Sequence, residues 1–68
     1  MPMLEPWRDH EQPDGSIEVR REGQLHFTLV WVQAIGQWEL RRAGRPEVID
    51  RDQYRHDLYS GIQSGRIK

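Results

Sequence analysis

The chain has 68 residues, which is enough for one small domain, and a net charge of −1. Because it contains no cysteine, it cannot form disulfides or thiolate metal sites. No apolar run approaches the ~20 residues that a membrane-spanning helix needs, and residues 1–7 lack the basic and apolar stretches that are typical of a secretory leader. We therefore expect a cytoplasmic protein. Nine of the ten basic residues are arginine and asparagine is absent, which indicates a GC-rich bacterial or phage genome.

Residues 1–15 contain Pro2, Pro6 and Pro13 and carry a net charge of −3, whereas residues 16–68 carry +2. Prolines at this spacing disfavour both a helix and a central strand. We therefore predict an N-terminal arm over residues 1–15 and a single domain over residues 16–68. Trp7 is the residue expected to anchor the arm, because water solvates its large apolar ring poorly.

Three segments alternate apolar and polar residues, one over residues 16–20, one up to Gly36 and one after it. A period of two predicts β-strands, with these residues on one apolar face: Phe27, Leu29, Trp31, Trp38 and Leu40. We expect Trp31 and Trp38 to hold the scaffold. Some of these residues also lie at helical spacing, but a helix through Gly36 loses about 1 kcal/mol relative to alanine.

The turns set the predicted registers. A three-residue loop over residues 21–23 places Val19 opposite Leu25, whereas a two-residue loop would place Val19 opposite His26. The apolar pattern favours the longer loop. In the second hairpin, pairing Trp31 with Leu40 leaves residues 34–37 as the turn.

A helix is predicted to begin after Asp50, which can act as its N-cap. Gln53 would complete a capping box, and Ile49 with Tyr54 would form a hydrophobic staple. These signals place the helix start at residues 50–54.

Tyr54, Leu58 and Ile62 recur every four residues and predict the apolar stripe of this helix. Either Gly61 ends the helix, or it allows a close approach to the sheet and Gly65 ends it. The predicted fold is α+β: a three-stranded antiparallel β-meander packed against one C-terminal α-helix, with a Pro-rich N-terminal arm.

No arrangement of residues favours an enzyme. Asp52 and His56 have a spacing that suits a metal or an ion pair, and His26 is a lone candidate on the outer sheet face. A solvated helix face explains Asp52 and His56 equally well, and an exposed strand histidine explains His26 better than a site does. We expect no catalytic residue, no cofactor and no metal.

Binding of nucleic acid is the alternative function. Arg20, Thr28 and Arg41 are predicted to project from the outer face of the sheet, with Arg21, Arg42 and Arg45 around its turns. In order of elements, residues 16–64 resemble the arm-type DNA-binding domain of tyrosine recombinases and the plant AP2 domain. That resemblance implies a sheet laid in the major groove. The pI of 6.3 is low for this function, since nucleic-acid-binding domains are typically above about 9.

The leading hypothesis is a non-enzymatic protein-interaction module. Val30 and Val32 are predicted on the face that the helix does not cover, so the Trp7 arm, a second copy of the chain or a partner must cover them. We expect the partner to be a larger host protein or complex, with the chain acting as an inhibitor or regulator encoded by a phage or mobile element. The predicted contacts are Trp7, Val30, Val32, Arg20, Arg41, Arg55 and Tyr59.

Overall fold

The computed structural model describes residues 6–67. One antiparallel sheet contains the strands β1 (Arg8–Glu11), β2 (Ile17–Arg21), β3 (Gln24–Val32), β4 (Gln37–Arg42) and β5 (Val48–Asp52), followed by the helix α1 (Arg55–Gln63). The strands are adjacent in chain order. The predicted α+β class, antiparallel sheet and C-terminal helix are confirmed, but the sheet has five strands rather than three.

The two additional strands form the edges of the sheet. β1 lies inside the predicted arm, and all four of its residues are exposed. β5 occupies the segment where the start of the helix was predicted. Sequence patterning misses both strands because an edge strand joins a sheet mainly through its backbone, without a regular apolar face. As a result β4 is an interior strand, and among the strands of residues 6–67 β1 and β5 form the two edges of the sheet.

The first hairpin turns through two residues, not three. Glu22 and Gly23 both have positive φ angles, 55° and 76°, which is typical of a type I′ turn. A β-bulge next to Arg20 then shifts the register by one residue, so that Val19 pairs with Phe27. A two-residue loop alone would place Val19 opposite His26. The bulge instead places Val19 opposite Phe27, so the short loop is compatible with an apolar pair.

The second hairpin pairs Trp31 with Trp38 and Leu29 with Leu40, two residues from the predicted register. Because the difference is an even number, each side chain still lies on the predicted face. The turn spans residues 33–36, where Gly36 has a φ of 64°.

The helix begins at Arg55, and the residue before it makes no side-chain cap. Asp50 lies in β5, so the predicted capping box and staple are wrong. Asp52 instead accepts a hydrogen bond from the Tyr54 backbone N–H at 2.9 Å and orders the turn into the helix. This Asx contact supplies the local order that the capping box was expected to supply.

Gly65, with a φ of 80°, follows the helix and ends it, as one of the two predicted alternatives states. Gly61 lies inside the helix, and a Cβ there would meet the side chains of Arg66 and Ile67. The close approach at Gly61 is therefore made by the C-terminal residues rather than by the sheet. The Ile67 N–H donates to the Gly61 carbonyl at 3.0 Å, which folds this tail onto the helix.

The core lies between the helix and one face of the sheet. Its buried members are Ile17, Val19, Phe27, Leu29, Leu40, Leu58, Ile62 and Ile67. A nine-residue helix is about 14 Å long, whereas a nine-residue strand such as β3 extends about 30 Å. The helix therefore leaves one end of this face uncovered. No helix among residues 6–67 has the length and apolar character needed to cross a membrane.

Candidate functional site

The uncovered end of the inner sheet face carries a row of three cross-strand neighbours. Trp31 pairs with Trp38, and Trp38 pairs with Asp52 on β5. Trp31 is 41% exposed, and Trp38 is half-buried against the edge of the core. The prediction that both tryptophans hold the scaffold is wrong for Trp31, because the short helix does not extend over it.

A cleft of about 490 Å³ opens beside these tryptophans. β3 extends three residues beyond Leu29, the last of its residues that pairs with β2, and the chain before β2 turns back to β1 through residues 12–16. The cleft is lined by Asp14, Gly15, Ser16, Val30, Trp31 and Trp38. We call this cleft, together with Ile35 at the adjacent turn, the tryptophan end of the molecule.

The two indole rings are fixed in orientation. Their centroids are 5.5 Å apart and their planes are inclined at 62°, an edge-to-face arrangement that is favourable for aromatic pairs. The Trp31 Nε1–H donates to Gln33 Oε1 at 2.9 Å, which satisfies its only polar atom. Ile35 at the tip of the turn is 49% exposed. The tryptophan end therefore presents an ordered apolar surface to solvent.

Asp14 contributes a carboxylate to the same cleft. Its Oδ1 accepts hydrogen bonds from the Ser16 hydroxyl at 2.6 Å and from the Ser16 backbone N–H at 2.9 Å. These two bonds lower the pKa of the Asp14 carboxyl, because they stabilise its ionised form. The cleft thus holds a negative charge at neutral pH, next to two aromatic rings.

Trp7, a predicted contact residue, lies at the opposite end of the sheet. Its ring packs 5.1 Å from His26 and 5.8 Å from Phe27, and the Arg21 guanidinium lies 4.3 Å from its centroid. The Tyr59 hydroxyl donates to the Trp7 carbonyl at 2.5 Å. Trp7 therefore anchors its segment on the inner face and does not cover Val30 or Val32. Residues 1–5 of the predicted arm lie outside the described residues.

The outer face of the sheet carries the two predicted valines and a charged network. Val30 pairs with Glu39, and Val32 pairs with Gln37. Glu39 is only 7% exposed and accepts hydrogen bonds from Arg41 at 2.6 Å and from Arg51 at 3.0 Å. Val30 also reaches the cleft, so one predicted contact residue lies at the tryptophan end.

Acidification is expected to remove the stabilisation that Glu39 provides. The hydrogen bond from Arg41, and to a smaller extent the one from Arg51, lowers the pKa of Glu39 below its ordinary value of 4.5. A carboxyl with a lowered pKa in the folded state stabilises the fold above about pH 4.5 and loses that contribution as the pH falls through the folded-state pKa. The Glu39→Gln variant should therefore be less stable than wild type at pH 7.

We expect the difference in the free energy of unfolding between Glu39→Gln and wild type to become smaller below pH 4.5, the ordinary pKa of a glutamate. Urea unfolding of both proteins at neutral and acidic pH measures it. Glu47→Gln, at an exposed loop position, controls for the loss of one negative charge. A gap that stays constant across the acidic range would show that ionised Glu39 does not stabilise the fold.

The predicted nucleic-acid-binding residues gather at the end of the sheet opposite the tryptophan end, which we call the arginine end. Thr28 pairs with Glu18 and with Arg41 on the outer face. The arginines of this end, from β2, β4 and the loop after β4, are Arg20, Arg21, Arg41, Arg42 and Arg45. Arg20 pairs with Glu18 at 2.9 Å, and Arg41 pairs with Glu39 at 2.6 Å. Acidic neighbours therefore neutralise Arg20 and Arg41, the two arginines that were predicted to project from the outer face.

The remaining predicted residues are engaged within the chain. Arg55 pairs with Glu11 at 3.1 Å and links the helix to β1. His26 contacts the Trp7 ring, and the His56 ring lies 5.6 Å from that of Tyr54. Within residues 6–67 no group of three or more His, Asp or Glu side chains could hold a metal ion.

Sequence reasoning placed Trp31 and Trp38 in the scaffold and did not name Asp14 or Ile35, which it placed in turns, as binding residues. One signal could have identified the exposed end: Gly65 limits the helix to about two and a half turns, much less than the length of the longest strand. Comparisons of the chain with protein-family models, with curated proteins and with solved structures found no match.

Proposed function

We propose that this chain is a small protein-binding module whose contact surface is the tryptophan end. The observation that carries the proposal is the exposure of Trp31, 41% of whose surface meets solvent in a chain with three tryptophans. Tryptophan is among the residues most enriched at the energetic centres of protein interfaces. A second exposed apolar residue, Ile35, lies in the turn between β3 and β4 at the same end.

The order of this surface also supports binding. The Trp31 ring is held by its contact with Trp38 and by its hydrogen bond to Gln33. A partner would therefore meet side chains that are already oriented, and less conformational entropy would be lost on association. Occupying a surface of a larger protein in this way would make the chain a regulator or inhibitor of that protein.

Selection of displayed random peptides on the immobilised full-length chain tests the proposal. We expect enriched peptides whose affinity falls about tenfold or more with Trp31→Ala, because interface tryptophans commonly contribute that much. The matched control is Ile49→Ala, which removes an exposed apolar side chain from β5 and should leave affinity unchanged.

Two results would contradict the proposal. One is a selection that enriches no peptide above background. The other is a set of enriched peptides that bind Trp31→Ala as tightly as wild type. Circular dichroism of each variant confirms that the fold is retained.

Nucleic-acid binding remains the alternative, supported by the gathering of five arginines at the arginine end. Phosphate contacts supply most of the non-specific affinity for DNA, and paired arginines such as Arg20 and Arg41 supply less of it. We expect no saturable binding of duplex DNA at low salt, measured by fluorescence anisotropy. Saturable, salt-dependent binding that Arg20→Glu with Arg41→Glu abolishes would favour the alternative instead.

A further inference from the structure

The arginines of this chain already cover the aromatic rings of the arginine end. Arg21 lies 4.3 Å from the Trp7 centroid, and Arg42 lies 5.2 Å from that of Phe27. Among the described residues, no cation lies over Trp31 or Trp38. The faces of these rings carry partial negative charge and attract cations. The rings of the tryptophan end can therefore attract a cation, but no cation of residues 6–67 lies over them.

Carboxylates flank the tryptophan pair on both sides. Asp14 lines the cleft on the β2 side, and Asp52 follows Trp38 in the cross-strand row on the β5 side. Residues 30–38, which form the tip of the β3–β4 hairpin at this end, include no charged residue. The charged residues that line the cleft or pair with the tryptophans are therefore acidic, and they lie at the opposite end of β3 from the cluster of arginines.

Asp14 has no ion-pair partner among the described residues. Both of its hydrogen bonds to Ser16 use Oδ1, which leaves Oδ2 able to accept from a ligand. A planar guanidinium can stack on an indole face while it donates to a carboxylate, which an ammonium group cannot do as well. The cleft volume of about 490 Å³ is within the range of small-ligand sites and accommodates a long side chain.

We propose that the cleft binds an arginine side chain from a basic segment of the partner protein, with the guanidinium against Trp31 and Trp38 and hydrogen-bonded to Asp14. The inference rests on the proposed function and adds the chemistry of the partner. Charge complementarity identifies this occupant. Two acidic tryptophan ends facing each other in a symmetric dimer would repel.

Nuclear magnetic resonance titration of the ¹⁵N-labelled full chain tests this site. The probe is acetyl-Gly-Arg-Gly-amide, and the matched control probe carries citrulline, which has the same shape without the charge. We expect the indole N–H signals of Trp31 and Trp38 to shift saturably, while that of Trp7 stays in place. The citrulline peptide should bind about fivefold more weakly, given typical cation–π strengths.

The protein variant Asp14→Asn should weaken the arginine peptide about threefold to fivefold and leave the citrulline peptide unchanged. Glu22→Gln, which removes an exposed acidic group at the arginine end, is the control and should change neither affinity. Added salt should weaken the arginine peptide selectively, since an exposed charge pair is screened.

The proposal is overturned if the two peptides bind equally, if neither shifts the indole signals, or if Asp14→Asn changes nothing. A concentration-dependent dimer that Trp31→Ala abolishes would place a second copy in the cleft and overturn it as well. Enriched peptides that require Trp31 but contain no basic residue would refute the arginine site and leave the protein-binding function standing. If no peptide depends on Trp31, both fail.

Discussion

Leu40→Ala is expected to destabilise the fold by about 2–5 kcal/mol, the range for a buried leucine truncated to alanine. Leu40 is fully buried in the interior strand β4, in the same core cluster as Leu29 and Leu58. The substitution leaves a cavity that neighbouring side chains cannot easily fill, because strands lie on both sides of β4. A domain of this size has so little stability in reserve that the variant should be largely unfolded at 37 °C.

Urea unfolding followed by tryptophan fluorescence and by circular dichroism measures this effect. Ile49→Ala removes the same kind of side chain from an exposed position and should cost less than about 1 kcal/mol. A loss at Leu40 no larger than the loss at Ile49 would mean that the core does not depend on β4. Agreement between the two probes would show that sheet and helix unfold together.

The burial of Leu40 follows directly from the sequence pattern, and so does most of the inner face. Regular alternation in β3 and β4 assigns Phe27, Leu29 and Leu40 to one side, and the observed shift in the second hairpin leaves that side unchanged because it is even. The bulge beside Arg20 could not be predicted in this way. A two-residue turn alone pairs Val19 with His26, and the apolar pattern alone pairs Val19 with Leu25. The bulge allows both the two-residue turn and an apolar pair, Val19 with Phe27.

The edge strands and the exposed end were less predictable for different reasons. β1 consists of four exposed polar residues and owes its place to backbone pairing, which leaves no pattern in the side chains. Trp31 is as apolar as a core residue, and its exposure depends on how far a helix distant in sequence reaches. Gly65 indicates where the helix ends. The exposure of Trp31 follows from this only when the length of the helix is compared with that of β3.

Trp7→Ala is expected to destabilise the protein by about 2–3 kcal/mol and to release β1 from the sheet. β1 has no buried side chain, and its Arg8 pairs with Arg20, an unfavourable like-charge pair. The Trp7 ring contacts with His26 and Phe27 are therefore a main anchor of this strand, together with the Glu11–Arg55 pair.

Tyr59→Phe provides the matched control, because it keeps the Trp7 and Tyr59 rings and removes only the hydroxyl, which bonds to the Trp7 carbonyl and to Gln63. Burial raises the pKa of Tyr59, so its hydroxyl remains a donor at neutral pH. Losing that bond should cost about 1 kcal/mol, less than losing the ring. Hydrogen exchange of the Trp7→Ala variant should show that the backbone amides of β1 and β2 lose protection first. Equal effects of the two variants would mean that the ring contacts add no stability beyond the hydrogen bond.

Release of β1 has a consequence for association. β2 would become an edge strand with free backbone groups beside its buried residues Ile17 and Val19, an arrangement that promotes strand pairing between molecules. We therefore expect Trp7→Ala to aggregate with increasing concentration, measured by light scattering. Binding at the tryptophan end should persist in the monomeric fraction, because Trp7 and Trp31 lie at opposite ends of the sheet and their effects should be independent. Loss of both properties together would show that the two ends are coupled.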